Sequence, residues 1–238
     1  MTTESITALV LTAMFLGSVH TALGPDHYLP FAALARAGRW SLGKTLAVTM
    51  ACGLGHVMSS VLIGLVGVAA GLAVAAVTPL EEARAPIATW ALIGFGLTYG
   101  TWGLWRGIKG RRHVHPHVHD DGISHSHEHA HLKGHAHPHE KAAGSKKAVW
   151  LLFIVFVLGP CEPLIPLLMF PAATHSWAAL ALVTAVFGLT TLLTMAAIVT
   201  ALWFGLGAIR LGPLERYSHA LAGGALALSG LAVVTLGI

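Results

Sequence analysis

Chemistry in this chain rests on a few residues set in apolar surroundings: His20, Asp26, His27, Cys52, His56, Cys161 and Glu162. An ionisable or soft side chain is costly to place in such a stretch, so each reads first as functional. Imidazole, carboxylate and thiolate together suit late first-row divalent ions, whereas magnesium or calcium would draw on oxygen alone. Zinc, nickel, cobalt, iron and copper all fit that donor set. Cys52 and His56 are four residues apart and share a helix face, and His20 and His27, seven apart, do so if their helix is continuous. Each residue also has a plainer reading. A lone intramembrane histidine can bond a neighbouring helix, and a buried cysteine packs as a small hydrophobe. Asp26, His27 and Glu162 are harder to explain by packing. With only 2 cysteines there is no disulfide framework. Packing, soft ligation and a redox pair remain open for them.

A second group lies between Arg112 and Lys141. His113, His115, His117, His119, His125, His127, His129, His131, His135, His137 and His139 alternate there with Pro, Gly, Asp and Glu. Such a segment cannot build a packed core and is expected to be disordered without metal. Its imidazoles would offer many weak, exchangeable metal sites. His175 and His219 fall near the ends of apolar runs and read as interfacial.

The elements that must position these residues are membrane spans. Charged residues make up 10% of the chain and apolar ones 55%, with a mean hydropathy of +0.72. A soluble domain carries about a quarter charged residues. Residues 5–25, 45–80, 85–105, 148–161, 163–209 and 217–238 contain no Asp, Glu, Lys or Arg, and a crossing needs about 20 apolar residues. The expected spans are 5–35, 43–78, 86–108, 147–172, 176–208 and 214–237, the first and fourth broken. The first run has no basic leader and continues through Pro25, Asp26 and His27, so it is read as a span and not as a cleavable signal. Basic residues cluster in the connections after the first, third and fifth spans, with only Arg84 opposite. By the positive-inside rule both termini face outward and the histidine-rich segment is cytoplasmic. The net charge of +4 thus describes topology, and nothing points to nucleic acid.

A constant offset of 135 residues relates the two halves. It carries Leu23-Gly24-Pro25 onto Leu158-Gly159-Pro160, Ser41 onto Ser176, Val48-Thr49 onto Val183-Thr184 and Gly53-Leu54 onto Gly188-Leu189. With three spans per copy the halves would be inverted, an arrangement that places transporter sites near the midplane on broken helices. Proline removes a backbone donor and breaks the helix at each Gly-Pro. The fold expected is therefore an all-α integral membrane protein of six transmembrane helices. They form two inverted three-helix repeats, each with a broken first helix. The divisions are 1–108 and 148–238 for the repeats and 109–147 for the histidine-rich loop.

His20 followed by Gly24-Pro25-Asp26-His27 resembles the signature of the nickel/cobalt transporter group, the NiCoT and NicO families with the RcnA-type exporters. There a His-(four residues)-Asp-His element on an early helix is assigned to metal recognition; here five residues separate His20 from Asp26. The histidine-rich segment is similar to that of the RcnA-type exporters. Gly159-Pro160-Cys161-Glu162-Pro163 resembles the Pro-Cys element of the CcdA and DsbD membrane domains, thiol–disulfide electron carriers of the same wider superfamily. In those carriers a cysteine stands at both helix breaks, whereas this chain has Asp26 at the first. The resemblance implies a cell-membrane transporter of divalent transition metal, with nickel or cobalt favoured and efflux from the cytoplasm as its direction. The metal ligands would be drawn from His20, Asp26, His27, Cys52, His56, Cys161 and Glu162. The alternative is a CcdA/DsbD-like electron carrier. Neither reading calls for an organic cofactor or an enzyme active site. The expected partners are the metal ion and the lipid bilayer, and a homo-oligomer is compatible with both.

Overall fold

The computed structural model describes residues 2–70, 74–109, 113–118, 124–129, 143–161 and 163–236. Helix dominates. In chain order come α1 (Thr3–Leu23), α2 (Leu29–Gly38), α3 (Leu42–Ala69), α4 (Val74–Lys109), the strands β1 (His113–Val118) and β2 (Ser124–His129), α5 (Ala143–Leu158), α6 (Leu164–Ala173), α7 (Trp177–Ala208) and α8 (Ser218–Leu236). The polar starts are local: Thr2 caps α1 by accepting from the Ser5 amide, and Ser41 caps α3 by accepting from Lys44 N–H at 3.3 Å.

Proline and glycine decide where helices stop. Gly24 closes α1 by donating its N–H to His20 O, and Pro25 opens a single 3-10 turn over Pro25–His27 before α2 begins. The backbone breaks a second time between Leu158 and Leu164, where Gly159, Pro160 and Pro163 fall together. Polar groups freed at that second break are met by side chains. Arg84 Nη2 donates to Val157 O at 2.7 Å and to Gly159 O at 3.2 Å, and the Cys161 amide donates to Ser60 Oγ at 3.0 Å. Irregular backbone at membrane depth survives only where protein or cavity satisfies it.

These breaks correct the expected architecture. The described residues hold eight α-helices, four of them with spans long and apolar enough to cross a membrane: Thr3–Leu23, Leu42–Ala69, Trp177–Ala208 and Gly212–Leu236. Six transmembrane helices in two inverted repeats are not what the structure shows. The expected fourth span is divided into α5 of 16 residues and α6 of 10, each short of a crossing alone, and α4 is not among the four. The offset of 135 residues matches short apolar words, which recur readily in such sequences. The all-helical architecture carries one short hairpin beside it among the described residues. β1 and β2 form an antiparallel hairpin that sets His113 opposite His129, His115 opposite His127 and His117 opposite His125. Its alternating His spacing has the period of a strand, where the sequence reading expected no regular structure. His119, His131, His135, His137 and His139 lie outside the described residues.

Packing around the site divides into two clusters. Phe31, Leu34, Cys52, Leu152, Phe156, Met195 and Leu226 belong to one. Ala13, Val57, Cys161, Leu164, Leu168, Val183 and Phe187 belong to the other. Helices α4 and α8 approach so closely that a β-carbon on Gly223 would collide with the Gly100 backbone. Outward faces are strongly apolar. Phe15, Val66, Trp90, Trp150, Leu193 and Leu228 are all largely exposed, a surface that water would penalise and lipid accepts.

Candidate metal and thiol centres

Three histidines from separate elements meet. His20 comes from the last turn of α1, His27 from the 3-10 turn beyond the Gly-Pro break, and His56 from the middle of α3. The ring centroids of His20 and His27 are 4.7 Å apart, those of His27 and His56 5.1 Å, and those of His20 and His56 6.1 Å. One ligand-capable nitrogen from each lies within 4.8 Å of the other two. The break makes this convergence: α1 stops at Leu23, and the tight turn brings His27 back against His20.

Hydrogen bonds fix two of the rings. His27 Nδ1–H is shared between Gly24 O at 3.2 Å and Asp26 Oδ1 at 3.1 Å. His56 Nδ1–H donates to Phe156 O at 3.3 Å. Since a carbonyl can only accept, the proton sits on Nδ1 in both rings and the lone pair on Nε2. The Nε2 atoms of His20, His27 and His56 are all buried without a hydrogen-bond partner. Alongside them opens a cavity of about 290 Å³ whose lining includes Asp26, Thr89, Phe156, Gly159 and Pro160. Asp26 is one-third exposed into this space, whereas His27 is almost wholly enclosed.

The remaining residues singled out from sequence fall elsewhere. Cys52 lies one turn from His56 along α3 but packs in the Phe31–Met195 cluster, and Cys161 packs with Leu164 and Phe187. Neither is in a disulfide. Along α3, Cys52 and the Ser60 that holds Cys161 fall on either side of His56. Cys161 is tied through its amide to Ser60, and Cys52 to Ser60 is eight residues, or about 12 Å along a helix. Glu162 lies outside the described residues. Three residues at the site were not anticipated as such: Arg84 and Ser60, which hold the second break, and Phe156, whose carbonyl orients His56. Arg84 did leave a trace, as the isolated basic residue on its side of the expected topology. His219, near the start of α8, has Tyr99 Oη 2.7 Å from its Nδ1.

A family model described as the cytochrome c biogenesis protein transmembrane region matches residues 9–238. The chain belongs to that family. No curated protein and no solved structure gives a match. Membership in the cytochrome c biogenesis family corrects two expectations. The likeness to the nickel/cobalt transporter group rested on a short element around His20–His27, whereas the family match runs nearly end to end and carries the assignment. With that likeness goes the reading as a nickel or cobalt efflux transporter, and with it the preference for those two metals. A histidine cluster at a helix break specifies a chemistry, not a lineage. The membrane assignment stands: the chain is an integral membrane protein.

Proposed function

We propose that this protein carries reducing equivalents within the membrane by thiol–disulfide exchange, using Cys161 and Cys52. Membership in the cytochrome c biogenesis family is the observation that carries this reading, and the Pro160-Cys161 element at a helix break supports it. In the oxidising half-reaction the Cys161 thiolate attacks a sulfur of a partner disulfide. One partner thiolate leaves and takes up a proton, and a mixed disulfide remains. The Cys52 thiolate then attacks Cys161 Sγ, closes an internal disulfide and releases the second partner thiol. Two electrons have passed to the partner, and a dithiol reductant restores both cysteines by the reverse exchange.

Geometry sets a condition on this cycle. A disulfide needs Cα atoms within about 7 Å, and the cysteines pack in separate clusters, with Cys52 roughly 12 Å along α3 from the Ser60 that holds the Cys161 amide. The α5–α6 break must therefore move against α3 before the internal disulfide closes. Proteoliposomes with a dithiol reductant inside and a disulfide-bearing reporter outside test the proposal. Wild-type protein should reduce the reporter, and Cys52→Ser with Cys161→Ser should lower the rate at least tenfold. An undiminished rate in the double variant would sink it.

From the basic residues that flank it we infer that the histidine-rich hairpin is cytoplasmic, where its imidazoles would offer weak, exchangeable metal sites. A cysteine introduced at Ser124 should label from the cytoplasmic face alone in the double-serine background. Labelling from outside would reverse the orientation.

A further inference from the structure

We propose that His20, His27 and His56 bind one late first-row divalent metal ion through their Nε2 atoms, leaving a fourth coordination position open to the cavity. The inference stands apart from the thiol chemistry and rests on three observations. A ligand nitrogen from each ring lies within 4.8 Å of the others. Every Nε2 is buried and unpartnered. The opposite nitrogens of His27 and His56 are engaged by Asp26, Gly24 O and Phe156 O. The last arrangement is how metal-ligating imidazoles are oriented, with the distal N–H held by a carboxylate or carbonyl. Left without a ligand, three buried ring nitrogens would each carry a desolvation penalty with nothing to offset it.

The donor set defines the ion. Neutral nitrogens suit zinc, copper, iron or nickel, and a site of three imidazoles with one free position is the open tetrahedral kind. A metal–nitrogen bond of about 2.0–2.1 Å holds tetrahedral ligand nitrogens roughly 3.3 Å apart, so from within 4.8 Å the rings need close by at most about 1.5 Å. Asp26 is an orienting residue and not a ligand, because its Oδ1 faces the Nδ1 of His27. Its negative charge offsets half that of a dication in a low-dielectric place. Cys52 and Cys161 lie in other clusters and are not part of the set. The fourth position faces the cavity of about 290 Å³, large enough for water or a small anion.

The test uses the full-length chain in detergent, with the eleven histidines from His113 to His139 changed to serine so that they cannot mask the site. Titration with Co²⁺ should give one equivalent bound and the intense visible bands of tetrahedral coordination. His56→Ala should abolish both. Should that variant fail to elute as a monodisperse helical protein, His20→Asn takes its place. Asp26→Asn should keep one equivalent and the bands but weaken binding 10–100-fold. Serine at both cysteines should change neither. Azide should shift the bands if the fourth position is open. Absence of bound Co²⁺, retention of the bands in a folded His56 or His20 variant, or their loss with the cysteines would overturn the ligand set. An unmoved spectrum with azide would overturn the open position. Binding is read without any electron-transfer assay, so failure of either proposal leaves the other standing.

Discussion

Gly24 shows how little room the histidine centre leaves. A β-carbon there would come 2.8 Å from Asp26 Oδ1 and nearer still to the His27 ring. Its φ of −82° is one any residue adopts, so the demand is for space. Gly24→Ala should therefore destabilise the protein by about 1–3 kcal/mol through overpacking and displace His27 from its partners. Thermal unfolding in detergent and Co²⁺ titration measure the two effects; an unchanged midpoint with unchanged binding would contradict the crowding. At this scale much was legible in the sequence. His20, Asp26, His27 and His56 stood out because a polar group amid apolar neighbours is conspicuous. Ser60 and Phe156 did not, since a serine or phenylalanine in such a run is ordinary until its partner is known. The cysteines were legible as residues but not as a separated pair, because the distance between them is a tertiary fact.

Breaks govern the next scale up. Arg84 on α4 donates to Ser59 Oγ at 2.8 Å as well as to the carbonyls of Val157 and Gly159. It thereby closes the end of α5 where Gly159 and Pro160 stop the helix. Arg84→Ala should leave those two carbonyls without this donor, at about 1–3 kcal/mol for each buried group left unmet. It should also loosen the segment bearing Cys161. Two measurements check this: the unfolding midpoint should fall, and Cys161 should be alkylated faster in a Cys52→Ser background. Equal alkylation rates would show that Arg84 does not hold the segment. Both Gly-Pro positions were readable as helix breaks, since proline's missing donor acts locally. The number of spanning helices was not, because hydropathy sees apolar length and cannot tell one crossing helix from two short ones in series. The hairpin escaped for a related reason: alternate histidines were read for their chemistry and not for their period.

Across the whole molecule, lipid-facing side chains are large and apolar while the tightest internal contact is built from glycine. Gly96, Gly100 and Gly103 on α4 meet Ala227, Gly223 and Ala220 on α8. Close backbone approach of this kind drives helix association where no hydrophobic force operates between helices. A β-carbon on Gly223 would stand 2.6 Å from Gly96 O and collide with Gly100. Gly223→Val should consequently force α4 from α8 and lower stability by more than the ~1–3 kcal/mol typical of overpacking, read as unfolding in detergent. A near-normal midpoint would mean that the two helices tolerate separation. Helix α3 binds the functional parts in another way. Cys52, His56 and Ser60 fall at successive four-residue steps along one face, and Ser60 holds the Cys161 amide. The three stations behave as cams on one shaft. On the proposed cycle, any twist of α3 that carries Cys52 toward Cys161 also swings His56 and moves Ser60, which holds the Cys161 amide, so the two proposed centres would shift together.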